Sequence, residues 1–173
     1  GCNTGDFALA ALSAGAGYVV GWDTDQGALD EAFRRSMAAG ARFTPLFGDA
    51  ANPSPAQGWG QSERSGWLQR GPADSVLALA LVHHLAIGRN IPLPAIVDWL
   101  VRIAPTGVVE FVDKDDIQVR RMLTQRQDVF PGYSLSSFSA ELQRRARIVR
   151  SETLHPSGRT LIWFDANRQS EPT

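Results

Sequence analysis

The chain has 173 residues, of which 43% are hydrophobic, and this is enough for a single domain, spanning residues 1–173, with a sizeable core. Seventeen basic and eighteen acidic residues give a formal net charge of -1, which excludes an overall basic field that would attract nucleic acid or an anionic membrane. The only cysteine, Cys2, excludes an internal disulfide, and no apolar run is long enough to span a bilayer, so we expect a cytoplasmic protein.

The N-terminal part of the chain predicts alternating helices and strands. The loop GCNTG at residues 1–5 leads into a small-residue helix over residues 6–14, and GYVVGW predicts a strand that ends at Asp23. A helix follows through QGALDEAFRRSMAAGA, with Asp25 as its N-cap. RFTPLFGDA predicts the next strand, at an edge of the sheet because of Pro45. The second helix is expected to bury one face, formed by Leu29, Ala32, Phe33 and Met37.

The rest of the chain continues this alternation and closes with a hairpin. Turn-forming residues predict a loop over 52–61, and ERSGWLQRG predicts a short helix. DSVLALALV is typical of a central strand covered on both faces, a helix is expected over residues 93–103, and TGVVEFVD is another buried strand. A charged segment that includes Arg126 predicts an insertion and a helix, and RIVRSETLHPSGRTLIWFDA has the form of a hairpin. The polar end, NRQSEPT, is expected to fray.

Two features near the start of the chain indicate a nucleoside ligand. Ligands of open α/β sheets bind beyond the carboxyl ends of the strands, where the loop at residues 1–5 would lie. Its glycines would let the backbone approach a ligand closely, and the helix after it presents free N–H groups. Asp23 ends the next strand, at the distance where a carboxylate accepts hydrogen bonds from both hydroxyls of a ribose.

Two further residues narrow the choice of nucleoside. A nicotinamide dinucleotide normally binds to Gly-x-Gly-x-x-Gly, and Asn3 stands where the second glycine would be, which favours a ligand without phosphates. Asp49, at the end of the following strand, is placed to accept a hydrogen bond from an adenine amino group.

As a set, these motifs resemble class I S-adenosylmethionine-dependent methyltransferases. GCNTG matches the glycine loop of that family, GWDTD its ribose-binding strand end, FGDA its adenine-side motif and DSVLALALVHHL its fourth strand. The resemblance covers nearly the whole chain and implies an α/β fold, a Rossmann-like three-layer sandwich. Its mostly parallel seven-strand sheet has the order 3-2-1-4-5-7-6, with the last strand antiparallel. Strand one would precede Gly1, so we expect a fragment that is poorly stable alone.

The same resemblance implies S-adenosylmethionine (SAM) as the cofactor. It assigns cofactor contacts to Gly1, Cys2, Asn3, Gly5, Asp23, Thr24, Asp49, Ala50 and Leu81. A second resemblance is fainter: EFVDKDDIQVRRMLTQRQDVFPGYSLSSF is similar to bacterial methyltransferases related to nodulation proteins. It carries no substrate that transfers to this chain.

Methyl transfer requires alignment of the nucleophile with the methyl group and, for a hydroxyl or ammonium acceptor, removal of a proton. His83 follows the fourth strand of the family and is the candidate general base; a structural or capping role is the alternative for it and for His84. Weaker candidates for acceptor contacts are Glu110, Lys114, Asp116 and Tyr133.

Other polar and aromatic residues give weaker signals. Trp59 and Trp67 are candidates to cover the adenine or the sulfonium, with core packing favoured over that role. His155 is expected at the surface, and no cluster of residues indicates a metal.

The sequence therefore predicts SAM-dependent methyl transfer to an unidentified acceptor, with a small-molecule oxygen or nitrogen favoured and no strong signal for nucleic acid or a membrane. A nucleoside-binding module without catalysis is one alternative. An NAD-dependent oxidoreductase is another, which the missing second glycine disfavours.

Overall fold

The computed structural model describes residues 1–124 and 128–167. Arg126 of the charged segment and residues 168–173 of the expected frayed end lie outside them. The chain divides into two compact units, Gly1–Pro55 and Ala56–Thr173. The assignment of residues 1–173 to a single domain stays a prediction.

The N-terminal unit contains a parallel pair of strands with two helices. Its elements are α1 (Asp6–Ser13), β1 (Val19–Asp23), α2 (Gln26–Ala38) and β2 (Phe43–Phe47). The two strands are in register from Val19 opposite Phe43 to Asp23 opposite Phe47, so their carboxyl ends lie side by side. A small core forms where Ala8 of α1 and Ala32 of α2 pack with Phe43 of β2.

Helix α2 begins as predicted but turns a different face inward. The Asp25 side chain accepts a hydrogen bond from the Ala28 N–H at 3.1 Å, which confirms the N-cap. Leu29 and Ala32 are buried, whereas Phe33 is 56% exposed and Met37 is 67% exposed, so the prediction that these two are buried is wrong. The third buried position of α2 is Ser36.

The burial of Ser36 explains the rotation of the helix face. Its hydroxyl lies 2.7 Å from the carbonyl oxygen of Phe43 and 3.2 Å from that of Ala41, and it can donate to either. A buried hydroxyl with a partner carries little penalty, so the row Leu29, Ala32 and Ser36 can face the strands. Phe33 follows Ala32, so its side chain lies about 100° further round the helix and faces solvent.

The C-terminal unit contains a mixed four-stranded sheet in the order β3-β4-β6-β5. β3 and β4 are parallel, and β6 is antiparallel to both β4 and β5. The strands are β3 (Val76–Ala78), β4 (Thr106–Phe111), β5 (Arg147–Thr153) and β6 (Thr160–Asp165). The α-helices are α3 (Leu93–Ile103), α4 (Ile117–Thr124) and α5 (Leu135–Gln143), with short 3-10 turns at Trp59–Gln61 and Trp67–Gln69 and a π turn at His84–Gly88.

The α/β class, the limits of α3 and the closing hairpin are confirmed. The predicted long central strand is wrong in length, because β3 has three residues and Leu77 is 49% exposed. Trp59 is 88% exposed, so its expected packing in a core is also wrong. The described residues form six strands. With β3, β4, β5 and β6 counted as the predicted strands four, five, six and seven, the order of the four-stranded sheet agrees with the part 4-5-7-6 of the predicted order. The complete seven-strand order and the missing strand one stay predictions.

Candidate cofactor-binding site

The glycine loop lies against the end of β1 and leads directly into α1. The Cys2 N–H donates to the Trp22 carbonyl at 2.7 Å, which fixes the start of the loop beside the strand. Gly5 is the N-cap of α1 and has a left-handed backbone with φ 87°. A Cβ atom at Gly5 would lie 2.6 Å from Cε1 of Phe43. Glycine is therefore required here by the backbone conformation and by the packing of Phe43, in addition to the close approach to a ligand that we expected.

Asn3 also has a positive φ, 48°, in the middle of the loop. Asparagine tolerates this region better than most residues. Its side-chain oxygen accepts from the Thr4 N–H at 2.7 Å, and its own N–H donates to Oδ2 of Asp23 at 2.8 Å. Asn3 thus holds the turn in place of a glycine and connects the loop to the carboxylate at the end of β1.

Arg35 of α2 supports the loop from the other side. Its Nη1 donates to the Thr4 carbonyl at 2.9 Å, and its Nη2 pairs with Asp6 at 2.7 Å. Sequence reasoning missed this residue, because nothing in its spacing distinguishes it from the other charged residues of an exposed helix face.

Asp23 collects three backbone N–H groups at the end of β1. Besides Asn3, it accepts from Thr24 at 2.8 Å and from Asp25 at 3.0 Å, both through Oδ1. Partial burial would raise the pKa of Asp23, but the hydrogen bonds from the Asp25 and Asn3 amides outweigh it and lower the pKa. An ionised carboxylate offers about four acceptor directions, so one remains for a ligand hydroxyl. The predicted bonds to both hydroxyls of a ribose stay a prediction.

The end of β2 completes this edge of the N-terminal unit. The Gly48 N–H donates to the Asp23 carbonyl at 3.0 Å, so Asp49 follows immediately after a residue bonded to the end of β1. The Asp49 carboxylate accepts from the Ala51 N–H at 2.8 Å and shapes the turn that contains Ala50. Direct hydrogen bonds therefore link the glycine loop, Asp23 and the start of the 48–50 segment within one unit.

The other predicted site residues belong to the C-terminal unit, in the segment after β3. Leu81 is partly buried, and His83 is 1% exposed with no hydrogen-bond partner for its Nδ1 among the described residues. Burial, then the neighbouring His84 and Arg159, lower the pKa of His83 to about 4. His84 is exposed, and its ring centroid lies 4.2 Å from that of His83.

Two of the weaker candidates take part in structural contacts. The Tyr133 hydroxyl donates to the Val112 carbonyl at 2.7 Å, and burial raises the pKa of this tyrosine. The Lys114 ammonium group pairs with Asp128 at 2.8 Å and donates to the Phe130 carbonyl at 2.7 Å. Their predicted contacts with an acceptor stay predictions.

Glu110 and Asp116 are both held by an arginine that the sequence did not single out. Arg159 lies 2.9 Å from Asp116 and 3.6 Å from Glu110.

Trp67 is partly buried, and His155 is exposed as expected. In residues 1–124 and 128–167, no group of three or more potential ligands is placed to hold a metal. The same ranges contain no helix long and apolar enough to cross a membrane.

Comparison with solved structures identifies the class of fold. A SAM-dependent methyltransferase from Aquifex aeolicus matches with a TM-score of 0.58 and 18% identity, over 96% of this chain and 79% of that one. An rRNA methylase from Escherichia coli matches with a TM-score of 0.60 and 18% identity, over 96% of this chain and 55% of that one. The chain has the fold of SAM-dependent methyltransferases, which confirms the predicted resemblance at the level of fold.

Comparison of sequences points to a particular relative. The chain is 50% identical over 165 residues to the nodulation protein NoeA of Rhizobium meliloti (strain 1021), which confirms the fainter resemblance. The match covers 95% of this chain and 35% of NoeA, so the chain spans about a third of the length of the curated relative that it matches. No family model matches the chain.

Proposed function

We propose that the chain binds SAM and takes part in transfer of its methyl group to an acceptor, with a small-molecule oxygen or nitrogen favoured. The observation that carries the proposal is the ionised carboxylate of Asp23, which is bonded to Asn3 of the glycine loop and retains acceptor capacity. A ribose hydroxyl placed there would complete the coordination of a carboxylate that the backbone already orients.

We propose the remaining cofactor contacts on the basis of the family resemblance. The N–H groups at the start of α1 and the loop at residues 1–5 would face the ligand beside Asp23, and Asp49 with Ala50 would meet the adenine. Leu81 completes the proposed set. Bound SAM supplies an electrophilic methyl group on a sulfonium, and the protein must align the nucleophile and exclude water.

His83 remains our proposed general base, and its environment sharpens the proposal. With a pKa lowered to about 4, the ring is neutral at physiological pH and can accept a proton, although it is a weaker base than an exposed histidine. The ring is buried, so the proposed role requires that the acceptor gain access to it. The exposed His84 is the control for this role.

An RNA acceptor is a second candidate only by analogy, since the structural neighbours include rRNA methylases. The formal net charge of -1 supplies no overall basic field for RNA. A small-molecule acceptor therefore stays the favoured proposal.

Calorimetry with SAM and with NAD tests the cofactor assignment directly. We expect SAM to bind and NAD to give no heat above dilution; tight NAD binding without SAM binding would contradict the proposal. Binding of SAM without formation of S-adenosylhomocysteine in the presence of a metabolite extract would favour the non-catalytic module. Once an acceptor is found, the substitution His83→Ala should slow single-turnover transfer roughly a hundredfold, more than His84→Ala.

A further inference from the structure

The segment after β3 leaves the sheet in a strained conformation. β3 ends at Ala78, and Ala80 has φ 49°, in the left-handed region that a residue with a Cβ atom seldom adopts. Such a conformation persists only where the surrounding structure holds it. Leu81 and His83 follow immediately, so whatever holds Ala80 also sets the path of both residues.

Glu110 of β4 holds this backbone. Its side chain is buried, and its Oε2 accepts from the Ala80 N–H at 2.6 Å. Since Ala78 pairs with Val109 in the sheet, Ala80 lies beyond the paired residues of β3, and the carboxylate takes the place of a ladder partner for its amide.

A buried carboxylate needs a cation nearby, and Arg159 supplies it. From the hairpin, Nη1 of Arg159 lies 3.6 Å from Oε1 of Glu110, and its Nε donates to Oδ2 of Asp116 at 2.9 Å. Oδ1 of Asp116 accepts from the Gln118 N–H at 2.7 Å, at the start of α4. One guanidinium thus joins the hairpin, the loop before α4 and, through Glu110, the segment after β3.

Asp116 and Arg159 are both charged at neutral pH. Burial would raise the pKa of Asp116, but the hydrogen bonds from Arg159 and the Gln118 amide outweigh it, and the pKa is lowered. The hydrogen bond to Asp116 raises the pKa of Arg159 further, so the guanidinium stays charged. Arginine suits this place because its separate N–H groups reach two carboxylates at once.

We propose that Arg159 is a positioning residue that, through Glu110, fixes the Ala80 backbone and so the 81–84 segment assigned above to SAM and to proton removal. The role rests on the proposed function, because that assignment gives the segment its task. In this role Arg159 acts through Glu110 rather than by contact with SAM or the acceptor.

The test compares Arg159→Gln with Arg150→Gln in the complete protein. Arg150 lies on the same hairpin but is exposed and pairs with Glu152 at the surface, so its removal controls for the loss of one arginine. We expect Arg159→Gln to speed hydrogen exchange at the Ala80 amide about tenfold or more and to weaken SAM binding about fivefold or more. Arg150→Gln should change neither.

Three results would overturn the positioning role: wild-type exchange at Ala80 in Arg159→Gln, wild-type SAM affinity in that variant, or equal effects in Arg150→Gln. A wild-type protein that binds no SAM overturns the proposed function and the cofactor task of the segment. Exchange at Ala80 still shows in that case whether Arg159 holds the backbone, so the two failures are distinguishable.

A second variant separates this role from general loss of folding. Glu110→Gln keeps an acceptor for the Ala80 N–H without a charge that needs Arg159, so adding Arg159→Gln to it should change Ala80 exchange little. An equally large effect in that background would overturn the connection through Glu110. The titration of His83, followed by NMR, is a spectroscopic readout. Burial, then His84 and Arg159, lower the pKa of this ring and Asp116 raises it, so Arg159→Gln should raise the pKa.

Discussion

The glycine loop of the N-terminal unit and the segment after β3 in the C-terminal unit are both held by a carboxylate that accepts backbone N–H groups, but the two carboxylates differ in environment. Asp23 is partly exposed and accepts hydrogen bonds from three backbone amides, whereas Glu110 is buried and paired with Arg159. The first keeps acceptor capacity for a ligand, and the second has its charge balanced within the protein. Similar hydrogen bonds therefore leave one carboxylate open to the proposed ligand and commit the other to partners within the protein.

The largest effect should come from breaking the glycine loop at Gly5. Gly5→Ala adds a Cβ atom 2.6 Å from Phe43 on a backbone with φ 87°, so strain and overpacking together should cost about 3 kcal/mol. Gly15→Ala is the matched control, because Gly15 has φ 105° but no atom within 4 Å of its Cβ position, and it should cost about 1 kcal/mol. Urea unfolding measures both; equal losses would show that Phe43 yields to the methyl group.

The segment after β3 is tested by pH, because the pKa of His83 falls from 6.5 to about 4 on folding. Below pH 6.5 the His83 ring of the unfolded chain binds a proton, whereas the ring in the folded protein stays neutral down to about pH 4. His83 should therefore make the protein less stable as pH falls through this window, by about 1–2 kcal/mol between pH 7 and pH 5. His83→Gln should reduce that loss, and His155→Gln, at an exposed position, should not. An identical pH profile in the His83 variant would refute the buried neutral ring.

Local physics explains what the sequence predicted. The Asp25 cap, the limits of α3 and the hairpin each depend on residues close together in the chain, and all three agree with the structure. The spacing of apolar residues predicts Phe33 and Met37 on the buried face of α2. The structure buries Ser36 instead, because its hydrogen-bond partners lie outside the helix.

Contacts between distant residues explain what the sequence could not predict. Arg159 lies 43 residues from Asp116, and no spacing rule relates the two. The bond from Asn3 to Asp23 spans 20 residues; the topology of the sheet and the family resemblance predicted that the two motifs lie near one ligand, but not this hydrogen bond. The bond from the Ala80 amide to Glu110 of β4 likewise spans 30 residues.

The substitution Asp23→Ala tests the proposed role of the Asp23 carboxylate in SAM binding. Removal of the carboxylate would eliminate the proposed charge-assisted bond to a ligand hydroxyl and free the Asn3 amide, so SAM affinity should fall by about 1–3 kcal/mol. Asp25→Ala removes the cap of α2 and should lower stability by about 1 kcal/mol with little effect on SAM affinity. Calorimetry measures both, and an unchanged affinity in Asp23→Ala would remove the ribose assignment.

The smallest effect is expected at Asp49, where the carboxylate shapes a turn as well as facing the proposed adenine. Asp49→Asn keeps a side-chain oxygen that can accept from the Ala51 N–H and from an adenine amino group, so SAM affinity should fall by about 1 kcal/mol or less. Asp49→Ala loses both acceptors and should cost more, which separates loss of the acceptor from loss of the charge. Calorimetry with SAM, together with circular dichroism to verify the fold, makes the measurement. Complete loss of binding in a folded Asp49→Asn protein would mean that the charge itself is required, and the adenine contact would then be the wrong role for this residue.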